Sequence, residues 1–408
     1  MRTLKNNADL FFRMGTLFLR EEKFASAAKA YQKVISIDSK NSTAQFRLGL
    51  AYYHLKEFTL AKKQFETVLS LDHHFENVNQ CLANCLLELR DHETALYYYF
   101  RQLEQDPWFE TYYNIAVLLM MKDRFKEALV YFEQALQKNP EDVATHLNCG
   151  SIYLKRNELD KAILSYQQAN KIKPHDPEIL HILSAIEQKQ TPQAAPTEFI
   201  THLFDQYAPY YDFHLTDRLK YSVPQKILDV FLLESALISD QAHLKIVDLG
   251  CGTGLCGVLF KSHASKLIGV DLSENMLSVA REKNTYDELI CDDVTHALNS
   301  FFEIDLILAA DVFTYLGDLN AIFDAAEKAL SKNGLFIFTV EKTAEPNFIL
   351  QPTVRYAHNK AYLESLMTAN HFMALRIDNV ILRMQKNVPV EGYLVVMKKV
   401  DMALASSS

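Results

Sequence analysis

Three acidic positions and a cluster of glycines in the second half of the chain have the types and spacing to hold a nucleoside-bearing ligand. An apolar run ends in Val247-Asp248-Leu-Gly250-Cys-Gly252-Thr-Gly254. Glycines at alternate positions let the backbone bend tightly and let a ligand approach without a Cβ in the way. The spacing is not the dinucleotide pattern Gly-x-Gly-x-x-Gly, because the third glycine comes one residue early. Asp271 closes the next apolar run, where a carboxylate can accept both hydroxyls of a ribose. Asp293 closes the one after, and a carboxylate followed by the backbone amide of Val294 can read the edge of an adenine. A fourth run ends in Ala309-Ala310-Asp311, where small residues leave room for a ligand.

Further candidates follow the fifth run. Val354-Arg355-Tyr-Ala-His358 reads as a loop bordering the same opening. Arg355 could hold a carboxylate, and His358 could serve as a base near neutral pH. Both are also compatible with surface or helix-capping roles. Glu341, at the end of the fifth run, is another candidate.

These residues need a scaffold, and the periodicity supplies one. From residue 245 onward, strand-length apolar runs alternate with helix-length amphipathic ones. Strands are expected at 245–250, 266–271, 288–293, 304–311, 334–341, 373–384 and 391–399. Helices are expected at 255–263, from Ser273 to about 283, and at 318–330 and 359–371. Such alternation gives a parallel sheet with helices on both faces. Ligands bind such sheets at the C-terminal strand ends, which is where the three acids fall.

The first half has a different period. Small residues at Gly15, Gly49, Ala83, Ala116 and Gly150 recur at steps of 34, 34, 33 and 34. Ala27, Ala61, Ala95, Ala128 and Ala162 repeat in register, each followed four residues on by Tyr31, Phe65, Tyr99, Phe132 or Tyr166. Pro107, Pro140 and Pro174 close three of the five units. Each unit reads as two amphipathic helices around a short polar turn, with the aromatic filling the space between neighbouring units. Residues 177–189 read as a helix capping the stack, and 190–197 as a linker.

Over the whole chain, 408 residues exceed one ordinary domain. The net charge of −9 argues against a broad nucleic-acid-binding surface. No apolar run is long enough to span a membrane, and the first residues lack the apolar core of a signal peptide. The six cysteines show no zinc-like spacing. Together these features predict a cytoplasmic protein without a metal site.

The repeated unit of residues 8–175 resembles the tetratricopeptide repeat. That resemblance implies a helical solenoid whose concave face binds a protein or peptide. The motifs at 247–254 and Gly269-Val-Asp271-Leu272-Ser-Glu-Asn-Met276 resemble class I S-adenosylmethionine-dependent methyltransferases, over about residues 199–399. The expected fold is therefore an all-α repeat solenoid followed by a Rossmann-like, seven-stranded α/β domain of order 3-2-1-4-5-7-6, with only the last strand antiparallel. The implied domains are repeats with their cap at 1–190, a linker at 191–198, the methyltransferase at 199–400 and a tail at 401–408. The resemblance places Asp248, Gly250, Gly252 and Gly254 at the methionine end of the cofactor and Asp271 on the ribose. It flanks the adenine with Leu272 and Met276, puts Asp293 and Val294 at its edge, and leaves space at Ala310. Phe204 to Asp212 resembles the lid of small-molecule and lipid-precursor methyltransferases, which makes Tyr207 and Tyr211 substrate candidates and Tyr211, with His358, a catalytic one. The acceptor is expected to be a small or carrier-bound molecule, with a protein partner on the repeats. The alternative is a protein methyltransferase whose repeats bind the target. Ala310-Asp-Val-Phe313 stands where Asn-Pro-Pro-Tyr marks amide or ring-nitrogen chemistry, which argues against those chemistries.

Overall fold

A computed structural model describes residues 2–208, 211–213, 215, 220–234, 243–385 and 388–400; for residues 2–6, 206, 207 and 213 it describes the backbone alone. The chain divides into two compact units, Met1–Lys173 and Pro174–Ser408.

The first unit is five helix pairs: α1 (Arg2–Arg20) with α2 (Phe24–Ile37), α3 (Ser42–His54) with α4 (Phe58–Leu71), α5 (Val78–Glu88) with α6 (His92–Gln105), α7 (Phe109–Met121) with α8 (Phe125–Lys138), and α9 (Val143–Lys155) with α10 (Leu159–Ile172). The turn within each pair places one residue in the left-handed region: Glu22, Lys56, Arg90, Asp123 and Asn157. The recurring aromatic packs against the small residue of its own unit, and the Tyr99 hydroxyl also reaches the next unit, accepting from Asn114 at 3.1 Å. A Cβ on Gly49 would lie 2.6 Å from the Phe65 ring, and one on Gly150 would lie 2.6 Å from Tyr166. The missing side chain on the first helix is thus the space the second helix's ring occupies.

The second unit begins with α11 (Pro177–Glu187), so the boundary lies earlier than residue 190. Pro177 opens this helix and the Asp176 side chain accepts from the amides of Glu178 and Ile179, a strong N-terminal signal. The expected linker is paired chain. The Ala195 amide donates to the Tyr315 carbonyl, and the amides of Gly317 and Asp318 both donate to that of Gln193. Then come α12 (Thr197–Tyr207), α13 (Tyr211–Phe213) and α14 (Val223–Glu234).

The sheet follows, with β1 (Leu244–Leu249), α15 (Leu255–Phe260), β2 (Ala264–Asp271), α16 (Glu274–Glu282), β3 (Glu288–Cys291), α17 (Val294–Leu298), β4 (Ile304–Ala309), α18 (Asn320–Ala329) and β5 (Leu330–Lys342). Then come β6 (Phe348–Leu350), β7 (Tyr356–His358), α19 (Lys360–Ala369), β8 (Phe372–Gln385) and β9 (Val388–Lys399). The main order is β3-β2-β1-β4-β5-β9-β8. Strands β1 to β5 are parallel, and β9 runs antiparallel between β5 and β8. This is the expected order. The β6–β7 hairpin is an addition: β7 pairs with the end of β5 at Glu341 and Lys342, so residues 356–358 are strand rather than loop. Apolar side chains fill both faces. Val247, Ile268, Ile307 and Phe336 lie in one core, and Ile246, Leu267, Leu306 and Leu335 in the other. A strand covered on both faces reads as a continuous apolar run, and its C-terminal end is where polar groups are left.

Candidate active site

A cavity opens at the C-terminal ends of β1, β2 and β4, beneath α12 and Tyr211. Its floor is the loop after β1. Gly250 has φ +60, and a Cβ there would fall 2.5 Å from Val312 Cγ2, so both backbone and space demand glycine. The Gly252 amide donates to Asp271 Oδ2 at 2.8 Å, and the Ser273 amide to Asp271 Oδ1 at 2.9 Å. Burial raises the pKa of this carboxyl, while the amides of Ser273, Gly252 and Leu272 work against that rise. Each oxygen keeps acceptor capacity toward the cavity. Leu272, Met276, Asp293, Val294 and Ala310 continue the wall. Asp293 also caps α17, its Oδ1 accepting from the amides of Thr295 and His296.

Asp248 and Gly254 do not line this cavity. Asp248 is 1% exposed and accepts from the Tyr286 hydroxyl at 2.6 Å. Burial pushes its carboxyl up to about 7. Gly254, at φ +90, starts α15 against the Tyr286 ring. Both shape the loop from behind. Tyr286 was not legible as their partner, because it lies beyond α16, far along the chain.

The roof is fastened by two carboxylates. Asp205 accepts from the Ser273 hydroxyl at 2.6 Å. Asp212 accepts from the Thr253 hydroxyl and pairs with Lys283 at 2.7 Å. Phe204 packs edge-on against Tyr315 and Tyr211. Tyr211 lines the cavity, and burial raises its phenol pKa, so it offers a donor rather than a base. Tyr207 ends α12, and its side chain lies outside the described residues, as does the whole of Tyr210.

An ionic network lies behind one part of the wall. Asp311, just past β4, lines the cavity. Arg383 of β8 is 3% exposed and pairs with Asp311 Oδ2 at 3.0 Å and with Glu341 Oε1. Gln351 donates to Glu341 Oε2 at 2.8 Å. Arg355, expected at the opening, is not among the residues lining the cavity; it stands 3.9 Å from Glu341, with its side chain 30% exposed. Burial opposes the Arg355 charge, but Tyr315, Glu341, Asp311 and Tyr211 outweigh it and raise its pKa. Sequence reading passed over Arg383 and gave Asp311 no role. A charged residue inside the apolar run Val380-Ile-Leu-Arg383 was the available signal. A register shift between Ile381 and Arg383 aims this side chain.

His358 is not at the opening. It is fully buried on β7, does not line the cavity, and its Nε2 lies 3.0 Å from the Gly317 carbonyl. Burial lowers its pKa to about 4, so it is neutral at pH 7. Its pairing inside the sheet extension, hidden while 354–358 read as loop, removes it as a base.

Comparison with known proteins fits this geometry. Residues 247–338 match a methyltransferase domain model, and residues 12–71 and 119–186 match tetratricopeptide repeat models. The chain is a tetratricopeptide-repeat-containing class I methyltransferase. The cofactor of this methyltransferase is S-adenosylmethionine. The ubiquinone biosynthesis O-methyltransferase of Bartonella tribocorum is 30% identical over 143 residues, which are 34% of this chain and 57% of that protein. The malonyl-[acyl-carrier protein] O-methyltransferase of Legionella pneumophila is 26% identical over 180 residues, 40% of this chain and 63% of that protein. The match thus spans less than two thirds of either relative. A solved 1,6-didemethyltoxoflavin-N1-methyltransferase of Burkholderia thailandensis is 17% identical, with a TM-score of 0.41 over 52% of this chain and 93% of that one. The residues present fit the cofactor. A bare glycine floor, a carboxylate on β2 and another after β3 stand in sequence around one cavity.

Proposed function

We propose that the second unit transfers a methyl group from S-adenosylmethionine to a small or carrier-bound acceptor. The observation carrying this is the alignment of Gly250, Gly252, Asp271, Met276 and Asp293 along one cavity under a fastened roof. Asp271 holds the ribose hydroxyls, Leu272 and Met276 flank the adenine, Asp293 with the Val294 amide meets its edge, and Gly250 and Gly252 underlie the methionine part. Bound there, the cofactor supplies a methyl group made electrophilic by its sulfonium. The protein's part is to hold the acceptor in line and keep water out. Ile200, Phe204 and Tyr211 close the roof for that purpose, and Arg355 offers a cation to an acidic group elsewhere on the acceptor. The two relatives are, by name, an O-methyltransferase of ubiquinone biosynthesis and a malonyl-[acyl-carrier protein] O-methyltransferase, which supports oxygen chemistry on a small or carried acceptor.

The repeats recruit a protein or peptide on their concave face. Among the described residues no helix is long and apolar enough to cross a membrane. A cytoplasmic place and an absence of nucleic-acid partners are part of this proposal. Incubating the full chain with a cell extract and methyl-tritiated cofactor tests it. Label in small molecules or on a carrier's prosthetic group supports it. Label on protein side chains turns the reading to a protein methyltransferase whose repeats hold the target. An absence of label in every fraction contradicts methyl transfer.

A further inference from the structure

We propose that Asp311 receives the proton-bearing group of the methyl acceptor, so that the methylated atom is a hydroxyl oxygen or an amine nitrogen and not a carboxylate. This rests on the methyl-transfer reading above and narrows it.

Asp311 is held in the left-handed region, with φ +62. Its amide donates to Thr339 Oγ1 at 2.9 Å, and its carbonyl accepts from Thr314 Oγ1 at 3.0 Å. The twist is therefore fixed from β5 and from the following turn. Its carboxylate is fixed as well, because Oδ2 accepts from Arg383 Nη1 at 3.0 Å. Arg383 is itself anchored by Glu341, and Glu341 by Gln351. Backbone strain at a residue so thoroughly held points to function at that residue.

What this frame presents is Oδ1. It is buried and has no hydrogen-bond partner among the described residues, although Asp311 lines the cavity. Buried acceptors are ordinarily satisfied, and the methyl acceptor, bound in the cavity that Asp311 lines, is the donor this one lacks. The matching group carries a hydrogen. A hydroxyl or an amine donates to Oδ1, whereas a carboxylate would set a second negative charge against it. In the reaction, the acceptor's lone pair forms the bond to the methyl carbon. The methyl–sulfur bond breaks and its electron pair returns to sulfur. The O–H or N–H proton passes to Asp311 Oδ1 and from there to water.

The test uses the full chain, methyl-tritiated cofactor and the extract fractions described above, with Asp311→Asn and Asp311→Glu. Cofactor affinity is measured by calorimetry and folding by thermal melting. The expected product keeps its label through mild alkali, which releases methanol from methyl esters. Asp311→Asn binds the cofactor within about twofold of the wild type, while transfer per folded molecule falls about 100-fold. Undiminished transfer, alkali-labile label, or loss of cofactor affinity in step with transfer each overturns the proposal. If the Asn variant does not fold, the wild-type product decides: alkali-labile label overturns the proposal by itself, and Asp311→Glu, which keeps the carboxylate, is expected to retain more transfer than any folded variant without one. A wild-type chain that labels nothing fails at the earlier step, the methyl-transfer reading itself.

Discussion

The two ends of the cavity are built differently. The cofactor end comes from short consecutive stretches. The loop after β1, the end of β2 and the end of β3 each bring their own glycine or acid, joined by backbone amides such as Gly252 to Asp271. The proposed acceptor end is assembled from distant pieces: Asp311 after β4 lines it, and Glu341 on β5, Arg355 before β7 and Arg383 on β8 form the charge network behind Asp311. Backbone amides stabilise the first, and paired side-chain charges the second. The difference teaches that, on the proposed reading, the reagent's site is a property of local motifs, whereas the acceptor's site is a property of the sheet. It also predicts that the two ends can be damaged separately.

The largest effect is expected at Arg383. Replacing it by Met leaves Glu341 and Asp311 as buried charges without their cation, which costs about 3–5 kcal/mol. Denaturant unfolding of the full chain should show that loss in the transition of the catalytic unit. A loss below about 1 kcal/mol would mean that the acceptor end does not depend on its ion pairs.

Next comes the floor of the cofactor end. Alanine at Gly250 must take a left-handed conformation, at about 1–2 kcal/mol, and bring its methyl against Val312. Cofactor affinity should fall at least about tenfold by calorimetry, since 1.4 kcal/mol is a factor of ten. Adding Val312→Ala should recover part of it. No recovery would show that the close approach is not what selects glycine.

This contrast also explains what was legible. The glycine loop, Asp271 and Asp293 lie at strand ends that periodicity locates, so their shared cavity followed from topology. The repeats were legible for the same reason, since Gly49 and Phe65 each recur in register. Asp248 is the instructive exception within the motif. Its spacing looks functional, yet it meets Tyr286 behind the loop, a contact set by packing. Arg383 and Gln351 reach Glu341 only once β8 and the β6–β7 hairpin are placed. His358 was misread because two residues of strand pairing at the end of β5 have no periodic signature of their own.

The smallest effect is expected there. The unfolded imidazole binds a proton near pH 6.5, but folded His358 does so only near 4. Protons therefore favour the unfolded chain between those values, and stability falls as pH drops through that window. His358→Gln should flatten part of this acid slope in melting curves, while methyl transfer at pH 7 stays within about twofold. A large loss of transfer from a folded variant would return His358 to the site.

The central claim is that the cavity after β1 and β2 holds S-adenosylmethionine with its ribose on Asp271. Calorimetric titration of the full chain with the cofactor, wild type against Asp271→Ala, tests it most directly. Two hydrogen bonds to a charged group at about 1.5–3 kcal/mol each predict an affinity at least about 100-fold weaker in the variant, with the wild type binding one equivalent. Equal affinity in the two proteins would contradict the account.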